Sequence, residues 1–346
     1  MKTMKFVYAT LPVLCALAAA VPAAEETQPA GAAPVELFKG PRGIDLKAPS
    51  YPQSERSSGD EGWVIVNVMI DPEGKPYEPT VVDSTGNKVF EKVALETVEK
   101  WRFEPASMNG TPIHAGSTLK LQFQLSGATG AREQFVKAYA QLVKAVDAGD
   151  RERADARLAL LEAHNLYEDA YRGIAHYKYY LKWGTQSQQL AAVRRALAGE
   201  KNARYLPKDV FARVLQTALS LEIRLHDYAS ALRTWETLRA TPLDEASRAK
   251  WQTSIDEIQA LRTNDKAYTV AGDFGDRSSW FYELLKRKFQ LEVASGSIAE
   301  IKLRCDRQYV FFRFDPTLQY TIAGNNKGCS MELVGQPGTK FQLTQT

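Results

Sequence analysis

From Gly62 the chain runs Trp63-Val64-Ile65-Val66-Asn67-Val68-Met69-Ile70, a β-branched, almost wholly apolar stretch that predicts a strand. Asp71-Pro72-Glu73-Gly74 supplies turn chemistry, with proline suited to the second turn position and glycine to one of positive φ. A second strand is expected over about Thr80–Ser84, closed by Gly86 and Asn87. Val89, Phe90, Val93, Ala94, Thr97, Val98 and Trp101 then recur at three- and four-residue steps, as on one face of a helix. Lys88, Glu91, Lys92, Glu96 and Lys100 form its polar face. Pro105 ends it, Asn109-Gly110 marks a turn, and Ser117–Leu125 alternates as a third strand. Leu119, Leu121, Phe123 and Leu125 point inward and Thr118, Lys120, Gln122 and Gln124 outward. The order strand-strand-helix-strand describes a small α+β domain.

After Gly127-Ala128-Thr129-Gly130 the period changes to that of helices from Arg132 to about Leu261. The hairpin breaks Ala148-Gly149-Asp150, Trp183-Gly184-Thr185 and Leu225-His226-Asp227 recur after 35 and then 42 residues. Tyr167, Tyr171, Tyr177, Tyr179, Tyr180 and Trp183 are dense enough for a ligand surface, but steps of four from Tyr167 to Tyr171 and from Tyr179 to Trp183 fit a packing stripe better. Beyond Asn264 the character shifts again. Gly272-Asp273-Phe274-Gly275 is a break, Ser279–Lys288 is expected as a short helix, and Leu291 to Val293, Ile298–Leu303, Tyr309–Phe314, Met331–Val334 and Phe341–Leu343 read as strands. Asn325-Asn326-Lys327-Gly328 forms a turn before Cys329.

The N-terminus adds an export signal. Two lysines in Met1–Lys5, an apolar run from Phe6 to Val21 and the small residues up to Ala24 predict a secretory leader cleaved after Ala24. The run is shorter than the roughly 20 residues of a spanning helix. Glu25–Ser50, with Pro29, Pro34, Pro41 and Pro49, reads as a flexible tether of roughly 85–95 Å at full extension. With 44 Lys plus Arg against 41 Asp plus Glu and a formal charge of +3, the 346-residue chain has no basic field for nucleic acid. Of 3 cysteines, Cys15 lies in the leader, and Cys305 and Cys329 are expected to pair in an oxidising compartment.

Catalytic chemistry is scarce. His114, His164, His176 and His226 are scattered without metal-ligand spacing, and no nucleophile elbow, phosphate loop or dinucleotide fingerprint is present. Glu61, Asp71, Glu96 and Glu99 read as turn or solvated helix residues. No enzyme activity, cofactor or metal is therefore expected.

The ordered set Tyr51-Pro52, Gly62, Ile70-Asp71, Gly74, Val81-Val82, Ser84, Gly86, Phe90, Ala94, Lys100-Trp101-Arg102-Phe103, Pro105-Ala106 and Asn109-Gly110 resembles the C-terminal domain of the TonB family of energy transducers. The resemblance implies capture of an extended segment of an outer-membrane receptor beside the third strand. The edge residues would be Thr118, Leu119, Lys120, Leu121, Gln122, Phe123 and Gln124. The order Ala218, Leu219, Leu225, Asp227-Tyr228, Ala231-Leu232, Trp235, Leu238 and Pro242 resembles a tetratricopeptide repeat, whose period is about 34 residues. The expected organisation is a leader (1–24), tether (25–50), TonB C-terminal-like domain (51–126), tetratricopeptide-like helical repeats (131–264) and a small disulfide-bonded β domain (270–346). The leading expectation is a periplasmic interaction module of a Gram-negative cell envelope. One alternative retains the leader as an inner-membrane anchor and makes the chain an energy transducer for TonB-dependent transmembrane transport; another is a periplasmic enzyme with its site in the C-terminal domain.

Overall fold

A computed structural model describes residues 38–126, 130–200, 203–322 and 328–346. The leader with its cleavage point at Ala24, tether residues 25–37 and the turn at Asn325, Asn326 and Lys327 lie outside them.

The first region holds β1 (Phe38–Lys39), β2 (Arg42–Asp45), α1 (Gln53–Ser58), β3 (Gly62–Ile70), β4 (Pro76–Ser84), α2 (Lys88–Val98), β5 (Arg102–Glu104), β6 (Ala106–Met108), β7 (Thr111–Ile113) and β8 (Ala115–Phe123). Its main sheet is antiparallel in the order β4-β3-β8. Gly74, at φ +79°, closes the β3–β4 turn, and a Cβ there would lie 1.9 Å from the Phe103 carbonyl oxygen. Asn87 caps α2 by accepting from the Val89 and Phe90 N–H groups. Val64, Val66, Val68 and Ile70 of β3 and Leu121 and Phe123 of β8 close on Phe90, Ala94 and Val98 of α2. Phe90 and Phe123 stack at 4.3 Å, with Tyr51 edge-on to both.

The expected tether is extended but docked over its described part. β1 pairs with β6, β2 pairs with β5, and the Trp101 indole donates to the Lys47 carbonyl at 2.8 Å. These backbone bonds depend on partners some sixty residues away, so the weak local periodicity did not reveal them. Strand β4 begins at Pro76 rather than near Thr80, and β8 spans Ala115–Phe123 rather than Ser117–Leu125, leaving Gln124 past its end.

Helices α3 (Glu133–Ala148), α4 (Arg151–Ala159), α5 (Leu166–Trp183), α6 (Gln186–Ala198), α7 (Lys208–Arg224), α8 (Tyr228–Leu238) and α9 (Glu245–Leu261) follow. The expected breaks are caps: Gly149 at φ +75° ends α3, Thr185 opens α6 in a capping box with Gln188, and Asp227 caps α8. One core joins Leu166, Leu219, Trp235, Leu238 and Ile255 with Trp63 of β3. Tyr179 is buried and rests 5.2 Å from Trp183, as a packing stripe requires.

The C-terminal region is a sandwich of two antiparallel sheets, β10-β15-β12-β13 and β14-β11-β16-β9. Its strands are β9 (Tyr268–Asp273), β10 (Ser279–Leu284), β11 (Lys288–Ser295), β12 (Ile298–Cys305), β13 (Tyr309–Arg313), β14 (Tyr320–Thr321), β15 (Cys329–Gly335) and β16 (Lys340–Gln345). The helix expected over Ser279–Lys288 is instead β10, because Tyr282 and Leu284 enter the core at a period of two while the backbone pairs with β15. Cys305 and Cys329 are register partners on β12 and β15 and form a disulfide. The described residues form one compact unit. Among them no helix is long and apolar enough to cross a membrane.

Candidate functional site

The sheet β4-β3-β8 has two outer edges, and their sequences make them different. Strand β4 carries Pro76 and Pro79, which lack N–H donors, and Glu78 at φ 50°. Its register with β3 shifts twice. Prolines and bulges of this kind block an incoming strand. Strand β8 has no proline, and its nine residues pair with β3 in unbroken register from Gly62↔Phe123 to Ile70↔Ala115. Among the described residues nothing hydrogen-bonds to the backbone of its other edge.

The predicted edge residues separate by face. Leu119, Leu121 and Phe123 turn toward α2 as expected. Thr118, Lys120 and Gln122 turn to the opposite face, but this face meets the chain's own later regions. Thr118 donates to Asn67 Oδ1 at 2.8 Å, and Asn67 Nδ2 donates to Ser330 on β15 at 3.3 Å. Lys120 donates to the Ala198 carbonyl at the end of α6, where a cation suits the helix C-terminus. Gln122 donates to the Tyr205 hydroxyl at 3.2 Å. The side chains of this face are therefore engaged internally, and the open element of β8 is its backbone edge.

A buried polar network fixes the helical region against the sheet. The Trp63 indole, fully buried, donates to Asp169 at 3.1 Å, and Asp169 also receives Arg172 and Arg195, each at 2.9 Å. Arg195 in turn donates to the Thr85 carbonyl at 2.7 Å. Glu61, expected in a turn or on a solvated helix, is buried, and its carboxylate accepts from the backbone of Leu125 at 2.7 Å and Leu166 at 3.2 Å. The two N–H groups it satisfies would otherwise be orphaned at the junction. Asp71 does make the expected turn, accepting from Glu73 and Lys75, and Glu96 and Glu99 are exposed.

Glu168 is fully buried and accepts from the Arg132 guanidinium at 2.9 Å and from the backbones of Arg132 and His164 at 2.8 Å. Burial pushes its carboxyl up, but the Arg132 bonds and the two N–H groups outweigh it and hold the group below its ordinary value. A sequence signal for this covered face existed. The run from Trp63 to Ile70 barely alternates, as in a strand buried on both sides.

The histidines stay apart. His114 meets Tyr77, His164 meets Asp60, and His226 Nδ1 lies 2.7 Å from the Thr269 carbonyl. Among the described residues no three His, Cys, Asp or Glu side chains gather as for a metal ion.

The family model for the Gram-negative bacterial TonB protein C-terminal domain matches residues 47–125. Protein TonB of Vibrio cholerae is 29% identical over 79 residues, 23% of this chain and 32% of its own length. Protein TonB of Klebsiella pneumoniae is 30% identical over 105 residues, 30% of this chain and 41% of its own. For Escherichia coli Protein TonB the figures are 26% over 93 residues, 27% and 37%. The chain thus spans about a third of the length of the first of these relatives. The solution NMR structure of the Pseudomonas aeruginosa TonB C-terminal domain aligns at 26% identity over 25% of this chain and 88% of its own, with a TM-score of 0.23, too low to bear on the fold. By sequence, residues 47–125 are a TonB C-terminal-type domain, and the helices and sandwich that follow lie outside the match.

Proposed function

We propose that this chain, which carries a TonB C-terminal-type domain, is a protein-interaction module of the Gram-negative envelope. In this reading it captures an extended segment of an outer-membrane receptor as an added strand along β8. The observation that carries the reading is the contrast between the two edges of the sheet: β4 is interrupted by Pro76, Pro79 and two register shifts, whereas β8 offers nine regular residues. Backbone hydrogen bonds supply the affinity of such an addition, and side chains at alternate positions its specificity. The helical region, whose hairpins resemble tetratricopeptide repeats, serves as a docking surface for a second envelope protein. The same reading places the protein in the periplasm after loss of the leader, where the Cys305–Cys329 bond is chemically at home.

The test titrates synthetic peptides, covering the periplasmic N-terminal segments of the source bacterium's outer-membrane receptors, into amide-labelled protein. Binding on the order of micromolar, with shifts concentrated on residues 115–123, is expected. Peptides that leave those amides unmoved, or that shift β4 instead, overturn the reading.

A further inference from the structure

We propose that the cleft where α6, the α7–α8 turn and strands β9 and β10 meet binds a small organic or inorganic anion through its carboxylate or phosphate groups. The cleft holds about 630 Å³, within the range of small-molecule sites, and lies away from β8. What it can bind depends on which of its charges are already matched within the fold.

Four arginines line it. Arg194 is bound to Glu222 at 2.8 Å and to Asp227 at 2.6 Å, and Arg195 to Asp169 at 2.9 Å, so these two are neutralised within the fold. Arg224, from the end of α7, and Arg277, from the β9–β10 loop, are exposed. Neither guanidinium makes an ion pair or a side-chain hydrogen bond among the described residues. The acidic residues on the walls are Asp227, engaged by Arg194, and Asp83 at the end of β4. Asp83 accepts its own local bond from the Ser84 N–H at 2.9 Å, and burial pushes its carboxyl up. Arg277 is the first of the charges that oppose that shift. Arg224 and Arg277 are thus the lining guanidinium groups without an ion pair among the described residues, Arg277 lying in the field of Asp83 and Glu91, and the lining itself sets four arginines against the carboxylates of Asp83 and Asp227. Arginine forks are the side chains best shaped for carboxylate and phosphate oxygens.

A second observation comes from His176. Its Nε2 atom is buried and has no hydrogen-bond partner, an uncommon state for such a group. Burial and the nearby Arg172 and Arg195 push the ring down to about 4, so it is neutral at neutral pH and adds no charge to the arginines of the wall. Trp280 and Phe281 of β10 give the same cleft an apolar wall. Basic groups from two elements and an aromatic wall are what an anion with a short carbon frame requires.

The test is calorimetric titration of the full chain with citrate and, separately, with pyrophosphate at constant ionic strength. Saturable one-to-one binding of at least one probe is expected, weakened about tenfold or more in Arg224→Glu/Arg277→Glu and unchanged in the control Lys266→Glu. Citrate alone identifies carboxylate chemistry and pyrophosphate alone phosphate chemistry. Failure of both to saturate by about 10 mM, or equal binding by the double variant, overturns the proposal. Because both arginines are exposed, the variant's melting transition should match the parent's. If it does not, Arg224→Gln and Arg277→Gln taken singly carry the test, each weakening the binding. None of these results depends on strand capture at β8.

Discussion

The sheet β4-β3-β8 is buried on both faces, by different means. Toward α2 the contact is apolar and local: Phe90, Ala94 and Val98 lie within about 40 residues of the strands they cover, and their spacing announces them. The opposite face is held by partners far along the chain and by polar anchors. Trp63 reaches Asp169, 106 residues on; Asn67 reaches Ser330, 263 residues on; and Thr80 meets Arg304, 224 residues on. A TonB-type domain is here the base on which two further regions are seated, and among the described residues the outer edge of β8 is left unpaired.

The comparison breaks most easily at its two large aromatic residues. Phe90→Ala and Trp63→Ala should each cost about 3–5 kcal/mol in denaturant unfolding. Only Trp63→Ala should also speed amide exchange in α5. A cost below about 1 kcal/mol for Trp63→Ala would show that the helical region is merely leaning on the sheet.

Next in size is the ion pair between Arg304 and Glu332, both nearly inaccessible, at the sandwich side of the same face. Arg304→Met alone should cost about 3 kcal/mol by stranding a buried carboxylate. The double variant Arg304→Met/Glu332→Leu should recover most of that loss, since Arg304 Nε already lacks a partner and the pair is incompletely satisfied. Equal losses in the single and double variants would sink this account.

Glu168→Gln should cost about 2–3 kcal/mol at pH 7, because Arg132 is partly exposed and regains water when its partner is lost. The sign with pH follows from the lowered carboxyl. Its contribution is complete above the unfolded value near 4.5 and is lost as pH falls below it. The stability gap between parent and variant should therefore shrink below about pH 4.5 and stay level above it. A gap that widens in acid contradicts the assignment. The smallest effect belongs to Lys120→Ala, an exposed cap on α6 worth under about 1 kcal/mol. It should leave peptide capture along β8 intact, since capture rests on backbone groups.

Much of the first region was legible in the residues themselves. The helix at Lys88–Val98, the Asp71 to Gly74 turn and strand β3 follow from period and turn chemistry that act within a few residues. The engagement of Lys120 and Gln122 leaves no such local mark. A polar side chain on an alternating strand looks identical whether water or an α6 carbonyl receives it. Glu61 is a related case: a carboxylate next to glycine reads as turn chemistry unless the two distant N–H groups that donate to it are known. At Ser279–Leu284 a short aromatic run carried no decisive period, and pairing with β15 decided the matter.

By itself the sequence determined β3, the Asp71 to Gly74 turn, α2, the breaks between the later helices, the TonB-type motif and the pairing of its two late cysteines, because each rests on contacts short in sequence or on a chemistry with few alternatives. The tertiary structure alone decided which face of the sheet is covered, that β8 rather than β4 keeps a regular edge unpaired among the described residues, and that Arg224, Arg277 and His176 line one cleft. Those outcomes are set by how three regions dock, and docking joins residues 100 to 260 positions apart that no local period relates.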